Sequence, residues 1–392
     1  MILKSYKYRL YPNKQQKELI EQTFGCNRYI YNKALETKIK HYEKTKKTIS
    51  MFKLITGLLK KEKQENEWLR IPYSQTLQMS LKNLDVAFTN FFRTKSGFPK
   101  FKSRKSRQSV QYPQNVKVDW GNNKVYFPKL KNITTKLSRK FNGKIKTSTL
   151  SKTKTNKYFV SILVEINEEI PNKPRIIEKT SIGVDLGIKS YITCSDGTKV
   201  DYPRFLKKSQ LKLKYYQRKA SKKNKGSLRR KKLVKYVTKL HEKIANQRAD
   251  WLHKLSTKLI CENQTICLED LNVTEMQKIR YLAQSISDCS WSKFVEFLKY
   301  KSEWYGTNLL FIGRFDPSSK TCSNCGYINN ELKLSDRVWI CPECKEKLDR
   351  DVNASQNIKN FALSDKNLVY NKNSGLGQPK ELQNVNTTTL VE

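Results

Sequence analysis

Residues 182–188 read Ile-Gly-Val-Asp-Leu-Gly-Ile, a short apolar run with one carboxylate, Asp185, at its centre. Such a run is typical of a strand that is buried on both faces of a sheet. A charge within it needs a partner, because an unpaired carboxylate is costly to bury. The run therefore predicts a buried strand of a mixed α/β domain and indicates a role for Asp185 beyond packing.

Two further carboxylates stand at the ends of predicted elements. Glu269 ends an apolar strand predicted over 265–268, and Asp351 begins a helix predicted over 352–358, where it also suits the helix dipole. Singly, each of the three could be a cap, an ion-paired residue or a turn residue. Together, Asp, Glu and Asp on a first strand, a later strand and a final helix follow the layout of an RNase H-like nuclease site. A pair of divalent cations is the simplest partner that all three could share.

Four of the nine cysteines form two Cys-x-x-Cys pairs between the second and third of these carboxylates. Cys322 and Cys325 are separated from Cys341 and Cys344 by fifteen residues. This spacing predicts one structural zinc ion held by four thiolates, with no open position for a substrate. Free or redox-active cysteines are the alternative. The remaining cysteines lie in apolar contexts and are predicted to be small core residues.

The charge of the chain indicates a polyanionic partner. Its 392 residues include 78 Lys and Arg against 35 Asp and Glu, a formal net charge of +43, while 37% hydrophobic residues still suffice for sizeable cores. The length suggests two or three domains. The three histidines, His41, His241 and His253, lack the His-x-His and HExxH spacings. That absence argues against His-metal nucleases and transposases and against zincin proteases.

Two segments concentrate the positive charge. Residues 207–248 contain 17 Lys and Arg and one acidic residue, and residues 95–107 interleave basic side chains with Phe98 and Phe101. Both segments are predicted to contact phosphates, with a solvated or disordered stretch as the alternative. We expect the two rings to pack rather than to stack on bases. The candidate phosphate contacts are Lys100, Lys102, Lys105, Arg229, Arg230, Lys231 and Lys232.

Local patterns predict several element boundaries. Asn13 and Ser74 are predicted N-caps of N-terminal helices. Asp196-Gly197 predicts a hairpin turn in an antiparallel meander, and 207–248 predicts one long helical region. No apolar stretch approaches the ~18 residues of a membrane span, and none of signal-peptide length opens the chain, so we expect a soluble, cytoplasmic protein without a membrane partner.

The motifs around the three carboxylates resemble a known family. Residues 183–188, 267–271 and 349–358, with the two cysteine pairs between the last two, are similar to the three RuvC motifs and the zinc ribbon of TnpB (OrfB) proteins of bacterial insertion sequences. Further stretches that resemble the family extend the likeness to about residues 5–360: Tyr8 to Pro12, Leu84 to Phe92, Phe98 to Lys102 and Asn246 to Leu255. The departures are Lys345, where Gly is common, and Ser355, where Ala is usual; they concern local packing near the ribbon.

The resemblance implies a multidomain α+β fold. It comprises an N-terminal helical unit, a β-barrel-like (wedge) domain and a C-terminal RNase H-like (RuvC) α/β nuclease domain with an inserted four-cysteine zinc ribbon. The expected boundaries are 1–105 for the helical recognition unit with the first barrel strand, 106–172 for the wedge domain, 173–315 for the first part of the nuclease domain, 316–347 for the ribbon, 348–362 for the last nuclease motif and 363–392 for a disordered tail.

The resemblance also implies an activity and its cofactors. It indicates an RNA-guided DNA endonuclease related to the type V CRISPR effectors, which hydrolyses phosphodiester bonds. Asp185, Glu269 and Asp351 would hold two catalytic Mg²⁺ ions, and Asp349 is the near neighbour that we do not choose. Two such ions would activate the attacking water and stabilise the leaving oxygen, so no histidine base is needed.

The implied partners are a guide RNA from the transposon end and double-stranded target DNA beside a short flanking motif. The protein would act in transposition or DNA recombination, as a monomer or a homodimer on RNA, in a bacterial or archaeal cytoplasm in association with the nucleoid. Base pairing would read the target, while the protein reads the flanking motif. Gln75, Gln78 and Lys82 on a predicted helix are the candidates for that reading.

Three other functions account for part of the sequence. A nuclease-inactive RNA-guided regulator predicts a lost carboxylate, whereas all three are present. A DDE transposase ends its motif with Glu and has no four-cysteine ribbon before a final Asp. A zinc-ribbon protein that binds RNA or ribosomes explains the charge and the cysteines but leaves the carboxylates unexplained.

Overall fold

The computed structural model describes residues 2–94, 96–333 and 335–364. The described residues form two compact units, which divide between Glu169 and Ile170. None of the described helices is both long and apolar enough to cross a membrane.

The first unit begins with strand β1 (Ile2–Tyr11) and helix α1 (Lys14–Thr45). Asn13 caps α1, as predicted: its side chain accepts from the backbone N–H of Gln16, whose own side chain bonds back to Asn13. The other helical elements are α2 (Met51–Lys53), the π-helical Leu54–Leu59, α3 (Lys60–Glu65), the 3₁₀ turn Glu67–Arg70 and α4 (Ser74–Arg93).

The predicted cap at Ser74 is wrong. Ser74 is the first helical residue of α4, and Tyr73 occupies the cap position without a side-chain hydrogen bond. The Ser74 hydroxyl instead accepts from Lys63 Nζ at 2.5 Å. The helix is stabilised by its buried apolar stripe, which includes Leu77, Leu81 and Leu84.

An antiparallel seven-stranded sheet completes the first unit. Its order is β2-β6-β7-β1-β5-β4-β3. The additional strands are β2 (Gln108–Tyr112), β3 (Lys117–Asp119), β4 (Lys124–Phe127), β5 (Lys131–Lys136), β6 (Lys144–Lys152) and β7 (Tyr158–Ile166). Among the described residues the end strands β2 and β3 do not pair with each other, so closure into a barrel stays a prediction. Ile20 and Phe24 of α1 pack against the core of this sheet.

The second unit contains a mixed five-stranded sheet. Its strands are β8 (Ser181–Leu186), β9 (Ser190–Cys194), β10 (Lys199–Asp201), β11 (Thr265–Glu269) and β12 (Asn308–Ile312). The order is β10-β9-β8-β11-β12. Strands β8, β9 and β10 form the predicted antiparallel meander, whereas β11 pairs in parallel with both β8 and β12. The C-terminal ends of β8 and β11 therefore meet at one edge.

The basic region predicted as one helical segment is a hairpin of two helices, α5 (Phe205–Ser221) and α6 (Leu228–Glu262). Gly226 adopts φ +92°, a left-handed conformation that suits glycine, and Ser227 caps α6. The rings of Tyr216 and Tyr236 stack across the hairpin at 5.3 Å between centroids. The predicted helical character of 207–248 is thus confirmed on both sides of a break that was not predicted, and Asn224 to Gly226 was the signal for that break.

Helices cover both faces of the five-stranded sheet. On one face pack α6 together with α8 (Arg280–Cys289) and α9 (Trp291–Tyr305), which follow the short α7 (Val273–Met276). On the other lies α10 (Arg350–Ser364). The small hairpin of β13 (Val338–Ile340) and β14 (Lys347–Asp349) precedes α10. Helix α10 extends two residues past the expected boundary at 362, and the rest of the predicted tail, 365–392, lies outside the described residues.

Candidate functional site

Alternation along β8 and β11 places two of the three predicted carboxylates on the same face of the sheet. Ile182 and Val184 of β8 and Leu268 of β11 belong to the core under α6, α8 and α9. Successive side chains of a strand point to opposite faces, so Asp185 and Glu269 face α10. Leu268 is paired with Val184, which sets Glu269 beside Asp185 at the edge where both strands end.

Gly183 lets α10 approach this face. A Cβ built on Gly183 would lie 1.9 Å from the carbonyl oxygen of Ser355 in α10 and 2.8 Å from the backbone nitrogen of Lys359. Only glycine fits such a backbone contact. The Ser355 hydroxyl donates to the Val352 carbonyl of its own helix at 2.7 Å. This packing brings the first turn of α10, which carries Asp351, towards Asp185.

The electrostatics of the site show that the three carboxylates are close enough to interact. Burial, as the largest cause, and the negative charges of Glu269 and Asp351 together raise the pKa of Asp185 to about 7. Burial also raises the pKa of Glu269. The edge of the sheet is therefore a cluster of like charges, which a positive charge would stabilise.

Two of the carboxylates also have partners of their own. Glu269 accepts a hydrogen bond from the hydroxyl of Ser318, and Asp351 Oδ1 lies 3.3 Å from Arg337 Nη1. Within the described part of the chain, the three acids do not form a group whose donor atoms all lie within 4.8 Å of one another. The three carboxylates therefore lie near one another, but their oxygens are not as close together as they would be around a single ion.

Asp349 has a different environment from Asp351. Its carboxylate accepts from the backbone N–H of Asp351 at 3.1 Å and of Val352 at 3.0 Å, which caps α10. It also forms a 2.8 Å ion pair with Lys199. The carboxylate of Asp349 is therefore engaged in capping α10 and in its ion pair with Lys199. Asp351 is the carboxylate whose charge acts on Asp185.

The four predicted cysteine ligands are brought together. The sulfurs of Cys322 and Cys344 lie 3.6 Å apart, and those of Cys325 and Cys341 lie 3.5 Å apart. All four sulfurs lie within 4.8 Å of one another. Tetrahedral zinc with bonds of ~2.3 Å would hold its sulfurs roughly 3.8 Å apart, so the group fits that ion.

The basic tip of the helical hairpin, residues 229–232, lies at the N-terminus of α6, where positive charge destabilises a helix. Arg229, Lys231 and Lys232 are exposed and Arg230 is half-buried near the start of α6, whose first turn holds no acidic residue. The N-terminus of a helix carries partial positive charge, so cations there are unfavourable. Such an arrangement favours an anionic partner.

The second basic segment is only partly free to bind phosphate. Lys95 lies outside the described residues, while Lys100 and Lys105 are exposed. Lys102 is also exposed as a residue, but its ammonium lies 3.8 Å from the centroid of the Tyr31 ring. An internal contact therefore already occupies this lysine.

The two phenylalanines of that segment behave differently. Phe98 packs edge-to-face with Phe88 and Phe91, at 5.6 and 5.4 Å between centroids, which confirms the predicted packing. Phe101 is 57% exposed, so the same prediction is not confirmed for it.

Gln75, Gln78 and Lys82 share one face of α4, since they are three and seven residues apart. Lys82 is exposed, and both glutamines are half-buried. Gln75 Oε1 is buried without a hydrogen-bond partner in the described structure. Their predicted reading of bases stays a prediction.

Family models match most of the chain. A model described as "Probable transposase" (OrfB of the IS605 type) matches residues 161–280, "Cas12f1-like, TNB domain" matches 291–358, and "Helix-turn-helix domain" matches 1–47. In the structure the last of these ranges holds β1 and the uninterrupted helix α1, so it contains no turn between two helices.

Curated relatives span nearly the whole chain. "Putative RNA-guided DNA endonuclease" of Streptomyces pristinaespiralis is 37% identical over 362 residues, which cover 91% of this chain and 89% of the relative. "Putative RNA-guided DNA endonuclease InsQ" of Escherichia coli (strain K12) is 33% identical over 372 residues, which cover 91% of each protein.

The fold also resembles a solved structure. The chain aligns with one in "Cryo-EM structure of the Cas12f1-sgRNA-target DNA complex" with a TM-score of 0.57 and 15% identity, over 91% of this chain and 98% of that one. At this identity the likeness concerns the fold alone. It supports a mixed α/β multidomain architecture.

Proposed function

The chain belongs to the TnpB (OrfB) family of RNA-guided DNA endonucleases, and we propose that it hydrolyses target DNA at a Mg²⁺-dependent site formed by Asp185, Glu269 and Asp351. The observation that carries the proposal is the placement of these carboxylates. Two strands and a helix from distant parts of the sequence bring them to one edge of the sheet, where the charges of Glu269 and Asp351 raise the pKa of Asp185.

The architecture of the second unit supports a RuvC-type, RNase H-like nuclease domain. An antiparallel meander followed by two parallel strands, in the order β10-β9-β8-β11-β12, is the sheet expected of that fold. The acids lie on its first strand in sequence, on its fourth strand and on its last helix, in the order that the motifs predicted.

The donor set fits magnesium. Mg²⁺ prefers carboxylate oxygens and retains several water ligands, which a partly open group of three acids allows. A pair of such ions, when bound, supplies Lewis-acid activation of water and charge stabilisation at the leaving 3′-oxygen. The protein contributes fixed positions: Asp185 is held within β8, Glu269 by its hydrogen bond from Ser318, and Asp351 by the capped start of α10.

The four cysteines are proposed to hold one structural zinc. Their sulfurs already approach the separations of a tetrahedral site, and no further ligand position remains for a substrate. The zinc would stabilise a segment with a small apolar core of its own, around Leu332, Trp339 and Leu348.

The proposed partners are a guide RNA from the element's end and double-stranded DNA beside a short flanking motif. The net charge of +43 and the exposed basic tip of α6 support binding of nucleic acid. Gln75, Gln78 and Lys82 are proposed to read the flanking motif, and Lys100 and Lys105 to contact phosphates. The protein would act as a monomer or a homodimer on its RNA, in a nucleoid-associated cytoplasmic complex that serves transposition.

The deciding experiment starts with the ribonucleoprotein purified from cells that carry the native locus. The copurifying RNA is sequenced, and DNA that matches it is incubated with the complex with and without Mg²⁺. We expect cleavage only of matched DNA and only with the metal. Copurification of no discrete RNA would refute guidance, and Mg²⁺-dependent cutting by Asp185→Asn at the parental rate would refute the site. Guided binding without cleavage by the parent would instead support the inactive regulator.

A further inference from the structure

A short segment, residues 318–323, connects the carboxylate cluster to the cysteine group. At one end the hydroxyl of Ser318, which is 5% exposed, donates a hydrogen bond to Glu269 Oε1. At the other end lies Cys322, one of the four clustered cysteines. The segment has no regular secondary structure beyond the isolated bridge of Thr321 with Ile328, and local turn hydrogen bonds shape it. Contacts from another element tie it to the rest of the domain.

Two buried asparagines of α10 provide those contacts. Asn357 Nδ2 donates to the carbonyls of Ser318 at 2.7 Å and Thr321 at 2.6 Å. Asn353 Nδ2 donates to the Thr321 carbonyl at 2.7 Å, and its Oδ1 accepts from the backbone N–H of Ser323 at 2.8 Å. Their exposed fractions are 1% for Asn353 and 2% for Asn357.

The spacing of the asparagines explains how one helix can hold the whole segment. Residues 353 and 357 are four apart, so they lie one above the other on the same face of α10. Gln356 adds a contact beside them, since its Oε1 accepts from the Ser323 hydroxyl at 2.8 Å. Losing a hydrogen bond of either asparagine would leave a buried polar group unsatisfied, which is more costly than losing an exposed hydrogen bond.

In the hydrogen bond between Ser318 and Glu269 the hydroxyl donates and the carboxylate accepts, which suits a charged carboxylate that binds a metal ion. A hydroxyl can donate to the charged carboxylate and so holds it in one orientation. The donor occupies Oε1, and in the described structure no hydrogen bond reaches Oε2. Outer contacts of this kind orient metal ligands in many proteins.

We propose that Ser318 is a positioning residue for Glu269, and that Asn353 and Asn357 fix Ser318 to the helix that carries Asp351. The cysteine group, the 318–323 segment and two of the three carboxylates then form one rigid assembly. The inference rests on the proposed function, because it assumes that Glu269 is a metal ligand. It adds a role for Ser318, which lies outside the motifs, and for two asparagines of the last motif. It also gives the cysteine group a contribution to the site besides stability.

The test measures metal binding rather than cleavage. The complete ribonucleoprotein is titrated with Mn²⁺, a spectroscopic substitute for Mg²⁺, and free Mn²⁺ is followed by electron paramagnetic resonance. We expect Ser318→Ala to weaken Mn²⁺ binding by about 10-fold or more, the usual effect of removing an outer contact. Ser318→Thr keeps the hydroxyl and should bind within a few-fold of the parent. Both variants should contain as much zinc as the parent and remain folded at the temperature of the titration.

Two further variants separate the possible failures. Asp185→Asn and Asp351→Asn should each abolish tight Mn²⁺ binding; if they do not, the proposed site itself is wrong. If they do and Ser318→Ala binds like the parent, only the positioning role is overturned. Should Ser318→Ala lose zinc or unfold, Ser318→Cys is used, which keeps the shape with a weak donor. Its binding should fall between those of the alanine and threonine variants, and parental binding by it would overturn the role.

Discussion

Gly183 and Ser355 are in direct backbone contact where β8 meets α10. The contact sets the distance between the strand of Asp185 and the helix of Asp351, so a residue without a side chain controls the assembly of the site.

Gly183→Ala should therefore disrupt both stability and cleavage. Its Cβ would lie 1.9 Å from a carbonyl oxygen, which no side-chain rotation can relieve, so α10 must shift. We expect a loss of ~3 kcal/mol or more in the free energy of unfolding, the upper range for overpacked cores. Urea denaturation and cleavage assays measure the two effects. Gly121→Ala, whose Cβ would have its nearest neighbour at 3.6 Å, is the matched control and should behave like the parent.

Asp349 and Asp351 should differ in their response to the same substitution. Asp351→Asn is expected to abolish cleavage, because it removes charge from the cluster. Asp349→Asn keeps a side-chain oxygen for the cap of α10 and loses one partly exposed ion pair to Lys199, so stability should fall by under ~1 kcal/mol. Cleavage rates and thermal unfolding of both variants decide the point. Equal loss of cleavage in the two would contradict our choice of ligand.

The zinc site makes a separate prediction. Cys322→Ser should reduce zinc from one equivalent per chain to none, lower the unfolding temperature and impair cleavage, since the 318–323 segment would lose its anchor. Metal analysis and calorimetry measure the first two effects. Cys261 lies outside the cluster and is exposed, so its prediction as a core residue was wrong, whereas Cys26, Cys194, Cys267 and Cys289 are buried as predicted. Cys261→Ser is therefore the control and should retain full zinc. Retention of zinc by Cys322→Ser would show that this thiol is not a ligand.

The basic tip of α6 should account for a measurable part of the salt dependence of RNA binding. Changing Arg229, Lys231 and Lys232 to Gln removes three positive charges, and the slope of log affinity against log salt should fall by roughly 2 to 3. Filter binding to the copurified RNA at several salt concentrations measures it. The control combines Arg229→Lys, Lys231→Arg and Lys232→Arg, which keeps all three charges and should keep the slope. An unchanged slope in the glutamine variant would mean that the tip is only solvated.

The placement of the three carboxylates was largely predictable because its signals are local. A charge inside an apolar run identified Asp185, and the ends of predicted elements identified Glu269 and Asp351. Alternation along the two strands then requires the first two to share a face, as they do in the structure.

The supporting contacts were not predictable in this way. Ser318 lies in an irregular segment 49 residues from Glu269 along the chain, and a hydroxyl there has no periodic pattern to identify it. Asn353 and Asn357 lie within a quoted motif, but their acceptors are on another segment, so only the tertiary structure shows what they bind. The break between α5 and α6 was missed for the opposite reason, since its local signal, Gly226, was outweighed by the helical character of both flanks.

Lys301, a buried lysine outside the carboxylate cluster, should make the free energy of unfolding depend on pH. Lys301 is 5% exposed, and its ammonium donates to Ser256 Oγ and Thr257 Oγ1 at 2.7 Å and to the His253 carbonyl at 2.8 Å. Burial lowers its pKa from 10.5 to about 8. Between these values the unfolded chain binds more protons than the folded one, so this group makes the protein more stable as pH rises from 8 to 10.5, by on the order of 3 kcal/mol.

Lys301→Met should remove that rise, because it leaves no proton to release on folding. Urea denaturation of parent and variant at several pH values across this window measures the difference, and groups common to both cancel in the comparison. Lys254→Met is the control: Lys254 is exposed and paired with Asp250, so its loss should leave the parental pH profile in place. A rise of parental size in Lys301→Met would show that the ammonium is not the group responsible, and that its three hydrogen bonds compensate fully for its burial.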